Sequence, residues 1–396
     1  MFQKTLPRKW SLRTAVLAVA VLGATAACGS GGGSAPGDQS TAQSGSDADT
    51  AAVVQAAKTQ LAQYVRSATT WNGPTSGPPI ATGKSIIYVA YDQGNPQSVQ
   101  ASDAVKAIGQ SVGWTVTVLD GQGTTSGQQG ALTQAIAAHP DGIVLGSYPD
   151  SFRPYFKQAH DAGIAVIGLG TAAEPGMYPE YGIDANVFQN QAQASGAAGD
   201  WVVVHSNGKA RVILTSDNTY SIVIAKTNAQ RSAIQKCATC QIVVDTQMPF
   251  ADAANRTTSL TTGWVNQFGT EPPLYILQPA YYFVPFEAQA LRTLGIKPGQ
   301  VVLTGSNGTA QEYEDIRRGD YLQMTIPLAI QQQGYEVIDN LNRVFHHVQP
   351  AGLESAVWVV DASNVNQLGG DKNQFEPSND YARHYRELWS TGKTAA

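Results

Sequence analysis

From Lys84 onward, short apolar runs rich in β-branched residues alternate with amphipathic stretches of helical length, the pattern of strand–helix–strand units that build a parallel sheet. Strands are expected over 85–90, 115–119, 142–145 and 165–169, then over 211–215, 242–245, 274–277, 301–304 and 322–326. Helices are expected between them, among them 98–112, 130–138, 189–204, 222–235, 284–294 and 329–345. Nine strands could form one wide sheet or two smaller ones. The stretch from Leu169 to Gln189, with Pro175, Tyr178, Pro179 and Tyr181, is longer than an ordinary crossover and favours a break there. The expected fold is therefore α/β, with two doubly wound parallel-sheet lobes. Ligands of such sheets lie beyond the carboxyl ends of the strands at the topological switch points, so the site is expected between the lobes.

Ahead of this body, Val54, Ala57, Leu61, Tyr64 and Val65 recur at helical spacing and predict an amphipathic helix over 50–68. Residues 71–83 are rich in Pro and Gly and read as an extended connector. At the start, Lys4, Arg8, Lys9 and Arg13 precede an apolar run over 15–21 that is too short to span a bilayer, the order of an export signal. The following Thr25-Ala26-Ala27-Cys28 resembles a bacterial lipobox, which would make Cys28 the lipid-attachment site and the new N-terminus after signal cleavage; the competing reading is a plain cleavable signal. Gly29 to Ser46 offers almost no bulky apolar side chain and is expected to be a flexible tether with a reach of roughly 25 Å.

A chain of 396 residues with 42% apolar content has material for two domains. A formal net charge of −5 gives no basic excess, so a nucleic-acid partner is not expected. Cys237 and Cys240 form a lone Cys-Ala-Thr-Cys that follows a helical pattern; in an exported chain a structural disulfide is favoured over redox chemistry or zinc, which wants about four ligands. Neither a Gly-x-Ser-x-Gly elbow nor His-Glu-x-x-His nor a phosphate-binding Gly-Lys loop is present, so no enzyme, cofactor or metal site is expected. The pair His346-His347 cannot share one helical face.

Ordered landmarks then suggest a family. Ile86-Ile87-Tyr88-Val89-Ala90 followed by Gly94-Asn95-Pro96 resembles the opening of ribose-type (type I) periplasmic sugar-binding proteins of ABC importers. Val116 to Asp120, Pro140 to Val144, Ala162 to Ile167, Gly182 to Asn186, Gly305 to Gly308 and Gly319 to Tyr321 follow in the family's order. The resemblance implies three crossings between lobes. The first lobe would take 84–184 and 327–355, the second 185–326 and 356–366, leaving 49–83 as helix and connector and 367–396 as a tail.

Carried over position by position, the resemblance implies Tyr91, Asp92, Asn95 and Gln97 as ligand-facing residues after the first strand. Where the family has an Asp-Arg pair after the fourth strand, this chain has Gly170-Thr171; Thr171 and, in the crossing, Asp184 remain candidates. Lys226 stands at the family's helix arginine and Asn307 at its turn aspartate. Tyr281 and Tyr282, in Tyr281-Tyr282-Phe283 at a strand's carboxyl end, and Tyr220 could stack on a ligand or serve as core; Phe250 is a weaker candidate. Asp217 and Asn218 could face ligand or cap the next helix. The resemblance implies a lipid-anchored solute-binding protein on the outer face of the cell membrane, delivering a small neutral sugar or polyol to an ABC permease and its ATPase. A monomer is expected. A ligand-presenting subunit for a membrane sensor, a binder of a non-sugar molecule, and a sugar-processing enzyme with paired cleft carboxylates are the alternatives.

Overall fold

The computed structural model describes residues 40–64, 69–351 and 357–393; the export signal, Cys28 and the tether over 29–39 lie outside the described residues. The first part of the chain forms α1 (Ser40–Leu61), β1 (Ser85–Ala90), α2 (Pro96–Ser111), β2 (Thr115–Asp120), α3 (Thr125–Ala137), β3 (Gly142–Gly146), α4 (Arg153–Asp161), β4 (Ala165–Leu169), β5 (Gly176–Tyr178) and β6 (Ile183–Val187). There follow α5 (Gln191–His205), β7 (Arg211–Ser216), α6 (Ser221–Gln235), β8 (Gln241–Gln247), α7 (Ala253–Phe268), β9 (Leu274–Leu277), α8 (Val284–Thr293), β10 (Val301–Thr304), α9 (Ala310–Arg318) and β11 (Leu322–Thr325). The chain closes with α10 (Ile330–Phe345), β12 (Val360–Asp361), α11 (Val365–Gly369) and α12 (Tyr381–Thr391).

Two six-stranded sheets result, ordered β2-β1-β3-β4-β6-β5 and β12-β11-β10-β9-β7-β8. Both are parallel except for the edge strands β5 and β12. The strand order reverses between β1 and β3 in one sheet and between β7 and β9 in the other. Loops leaving those strands part to opposite faces and open a crevice at each switch point. β3, β4, β9 and β10 are buried throughout, as unbroken apolar runs must be when helices cover both faces.

Among the described residues there are twelve strands where the periodicity predicted nine. β5 and β6 arise from the stretch expected to be irregular. Gly182 takes a left-handed φ of 72° and passes so close to the backbone of Lys157 that an added Cβ would lie 2.6 Å from its Cα. This turn lets β6 run on to Val187, so the crossing comes at 188–190 rather than after Asp184. α3 begins at Thr125 rather than 130, because the Thr124 hydroxyl accepts from the Gly127 amide at 3.1 Å and caps the helix earlier.

α1 begins at Ser40, inside the stretch expected to be tether, and ends at Leu61 rather than 68. Its Val54, Ala57 and Leu61 join the core under the second sheet with Trp201 and Ile234. The tail is docked: Trp389 and Tyr385 of α12 lie in the core of the first lobe, against α10. His384 stacks on Trp71 of the connector at 4.9 Å. Cys237 and Cys240 have Cα atoms 5.3 Å apart, within bridging range.

Candidate ligand-binding cleft

The two switch points face each other across a cavity of about 290 Å³. From the first lobe, Tyr91, Asn95 and Gln97 reach it after β1, Ser147 after β3 and Phe188 after β6. From the second, Tyr220 and Lys226 come after β7, Phe250 after β8, Tyr281 and Tyr282 after β9, and Asn307 after β10. Local sequence explains these positions. Asn95 is held because its side chain caps α2, accepting from the amides of Gln97 and Ser98 with Pro96 at the first helical position. Asn307 sits at φ 109°, in a turn whose next residue, Gly308, packs against Pro327.

Lys226 is buried, and its ammonium donates to the Pro279 carbonyl at 3.1 Å and the Ser306 hydroxyl at 3.2 Å. Desolvation lowers its pKa to about 8, against the favourable charge of Glu312. Burial pushes the Tyr91 phenol far above its ordinary range and the Tyr220 phenol up to about 12, the latter with a further push from Asp217. These groups stay neutral at physiological pH, so the inner cavity contains one cation, no carboxylate and many aromatic rings.

Contacts also join the lobes directly. The Asn307 side-chain amide donates to Gln97. At the rim, the Ser221 hydroxyl donates to Asp150 at 2.9 Å. Ala104, Phe188, Ile222, Val223, Leu328 and Ile330 form one apolar cluster spanning both lobes and the crossings. A second chamber of about 190 Å³ adjoins the first, sharing Tyr91, Tyr220, Phe250 and Tyr282 as a common wall and adding Asp92, Gln128, Asp217 and Thr219.

Eight of the eleven residues expected to face ligand thus line the inner cavity: Tyr91, Asn95, Gln97, Tyr220, Lys226, Tyr281, Tyr282 and Asn307. Asp92 lines the adjoining chamber instead, with Oδ1 accepting from the Gly94 amide at 2.8 Å. Thr171 and Asp184 line neither chamber. The Thr171 hydroxyl is used within the sheet, donating to the Leu145 carbonyl at 2.8 Å. Asp184 points toward α4, accepting from the Val166 amide at 2.8 Å and standing 3.4 Å from His160. Asp217 spends its two oxygens on the amides of Thr219 and Phe250 and anchors its loop. Phe283 packs with Met248 and Ala253 in the core, so the Tyr-Tyr-Phe triplet divides between cleft and core.

Phe188, Ile222, Val223 and Phe286 escaped the sequence reading. Phe188 would have followed from the strand-end rule had β6 been recognised. The other three sit in the first turns of α6 and α8, where apolar residues are indistinguishable by pattern from core. Behind the cavity, Glu287 is buried and accepts from the Gln278 amide; burial pushes its pKa up to about 8 and that of Glu312 up to about 7. Among the described residues no cluster of His, Cys, Asp and Glu could hold a metal ion, and no helix is long and apolar enough to cross a membrane.

Two doubly wound lobes closing strand ends over a cavity define a two-lobed solute-binding architecture. Residues 86–346 match the family described as periplasmic binding protein domain, and the chain belongs to that family, one of solute-binding proteins. No curated protein matches it in sequence. Similar solved structures include an ABC transporter solute-binding protein from Agrobacterium vitis with bound allitol (15% identity, TM-score 0.65, covering 72% of this chain and 98% of that one). Another is the arabinose ABC transporter component from Shewanella sp. ANA-3 (15%, TM-score 0.63, 71% and 93%). A third is a periplasmic ribose ABC transporter protein from Conexibacter woesei DSM 14684 (16%, TM-score 0.60, 76% and 97%). At these identities the likeness is one of fold.

Proposed function

We propose that this chain is an exported, lipid-anchored solute-binding protein that captures a small neutral polyhydroxylated ligand, a sugar or polyol, and hands it to the permease and ATPase of an ABC importer. The observation that carries this reading is the cavity closed between the strand ends of two hinged lobes, with aromatic faces and neutral amides around it. Aromatic faces suit sugar C–H surfaces, and amides suit hydroxyls. Such a protein needs only differential affinity, since contacts made in the closed form shift a hinge equilibrium that a transporter reads. The arabinose, ribose and allitol proteins of the same fold support the ligand class.

In this reading Cys28 carries the lipid, residues between it and the body hold the protein near the membrane, and Cys237 and Cys240 are joined as a disulfide in a monomer. Labelled palmitate should enter the expressed protein and be lost in Cys28→Ala, and the intact mass should fall by two hydrogens relative to the reduced chain. For the ligand, a thermal-shift screen against sugars, polyols and amino acids is the direct test. Ligand at a hundred times its Kd adds about 2.7 kcal/mol to apparent stability. A response confined to amino acids, or turnover of a bound sugar, would refute the assignment.

A further inference from the structure

The two chambers of the cleft differ in what they offer a ligand. In the inner one, the side-chain carbonyls are already engaged: Asn95 Oδ1 by the amides of Gln97 and Ser98, Gln97 Oε1 by Asn307, and Asn307 Oδ1 by the Ser306 hydroxyl. What these amides and Lys226 retain are chiefly donors, namely Nδ2 of Asn95, Nε2 of Gln97 and the third ammonium proton of Lys226. Apart from the hydroxyls of Ser147, Thr309 and the tyrosines, the rest of the wall is apolar, with Phe188, Ile222, Val223, Phe250 and Phe286 among its residues. A sugar hydroxyl brings a proton as well as lone pairs. Buried against the apolar part of this wall, each such proton would go unmatched, at a cost on the order of 1–3 kcal/mol per group.

The outer chamber has the opposite character. Asp92 has one oxygen on the Gly94 amide and the other without a hydrogen-bond partner among the described residues, and Gln128 and Thr219 line the same chamber. Hydroxyl protons are satisfied there. Tyr91, Tyr220, Phe250 and Tyr282 line both chambers, which therefore adjoin.

We propose that the ligand is an aryl glycoside, with its hydroxylated ring in the outer chamber facing Asp92 and its aromatic group in the inner chamber, an acceptor oxygen turned toward Lys226. This inference rests on the sugar-binding reading above and narrows it. A flat ring meets offset or edge-on aromatic partners and buries apolar area without bringing protons that need acceptors. A bare monosaccharide would fill one chamber and leave the other empty.

The test is calorimetric titration of the purified protein with matched pairs: methyl and 4-nitrophenyl glycosides of glucose, galactose, arabinose and xylose, alongside the free sugars and 4-nitrophenol alone. At least one nitrophenyl glycoside should bind tenfold or more tighter than its methyl counterpart. Phe286→Ala should bring that ratio toward one, while Asp92→Asn should weaken both members of the pair. If methyl glycosides or free sugars bind as tightly as nitrophenyl ones, the aryl inference is overturned and the sugar reading stands. If 4-nitrophenol binds and no glycoside or sugar does, both fall. If sugars bind and no nitrophenyl glycoside does, the inner chamber is not an aryl site and the inference is again overturned.

Discussion

Asn307, in the turn after β10, donates its side-chain amide to Gln97 in the first turn of α2, so this hydrogen bond ties the second lobe to the first at the ligand cavity. Each partner is independently fixed. Gln97 follows the Asn95 cap, and Asn307 is held at φ 109° with its backbone amide donating to the Ile326 carbonyl at 2.7 Å. The bond is therefore made only when the lobes are closed. Asn307→Gly keeps the backbone conformation accessible while deleting the amide. The ligand-free variant should show a larger radius of gyration by small-angle scattering, and ligand affinity should fall by up to about tenfold, the equivalent of one hydrogen bond. Unchanged scattering and affinity would mean that the bond does not govern closure.

Lys226 gives the cleft a pH dependence. Burial lowers its pKa to about 8, so the ammonium is charged below that value and loses its proton above it. A ligand oxygen accepting from Nζ should bind most tightly below pH 8 and progressively less tightly between pH 8 and 9.5. In Lys226→Met the slope should vanish and affinity should lie below that of the native protein at pH 7. A native profile that is flat through this window would show that Nζ does not touch ligand.

Much of this was legible from the chain, and the limits have physical causes. β1, β3 and β4 announce themselves because a strand covered on both faces must be apolar throughout, and their ends then locate Tyr91 and Asn95. Asn307 and Lys226, which followed from family landmarks, came to lie on the cavity wall. Thr171 and Asp184 did not, because a short polar side chain at a strand end can equally satisfy backbone groups, as the bonds to Leu145 and Val166 do. β6 was hidden by the prolines and glycines around it, and with it Phe188. The docking of α12 was invisible because an amphipathic helix states that it has an apolar face without stating what covers it.

Glu287 should shape the dependence of stability on pH. Its folded pKa of about 8 lies above the ordinary carboxylate value, so its contribution is fully present below about pH 4.5 and is lost as pH rises toward 8. Glu312, at about 7, acts in the same direction. At about 1.4 kcal/mol per unit the swing for Glu287 is a few kcal/mol at most. Glu287→Gln keeps a carbonyl for the Gln278 amide and removes the titration. Its melting temperature should exceed that of the native protein at pH 8 and show a shallower decline between pH 5 and 8. A parallel decline in the two proteins would assign the dependence elsewhere.

Trp389 tests whether the C-terminal helix is part of the first lobe's core or an accessory to it. The indole is 3% exposed, stacks on Tyr335 with ring centroids 5.5 Å apart, and donates from Nε1 to Asp339 Oδ1 at 2.9 Å. Asp339 in turn receives Arg343 at 2.7 Å, a buried pair whose carboxylate is held by both neighbours while burial pushes its pKa up. Trp389→Ala opens a cavity and deprives that carboxylate of a donor. A loss of about 3–5 kcal/mol in urea denaturation is expected. Trp389→Phe restores most of the packing without the donor and should cost about 1 kcal/mol. The contacts lie along α10, away from the strand ends that line the cavity, so ligand affinity at temperatures where both variants remain folded should match the native value. A small effect of Trp389→Ala on unfolding would show that the lobe's core is complete without α12.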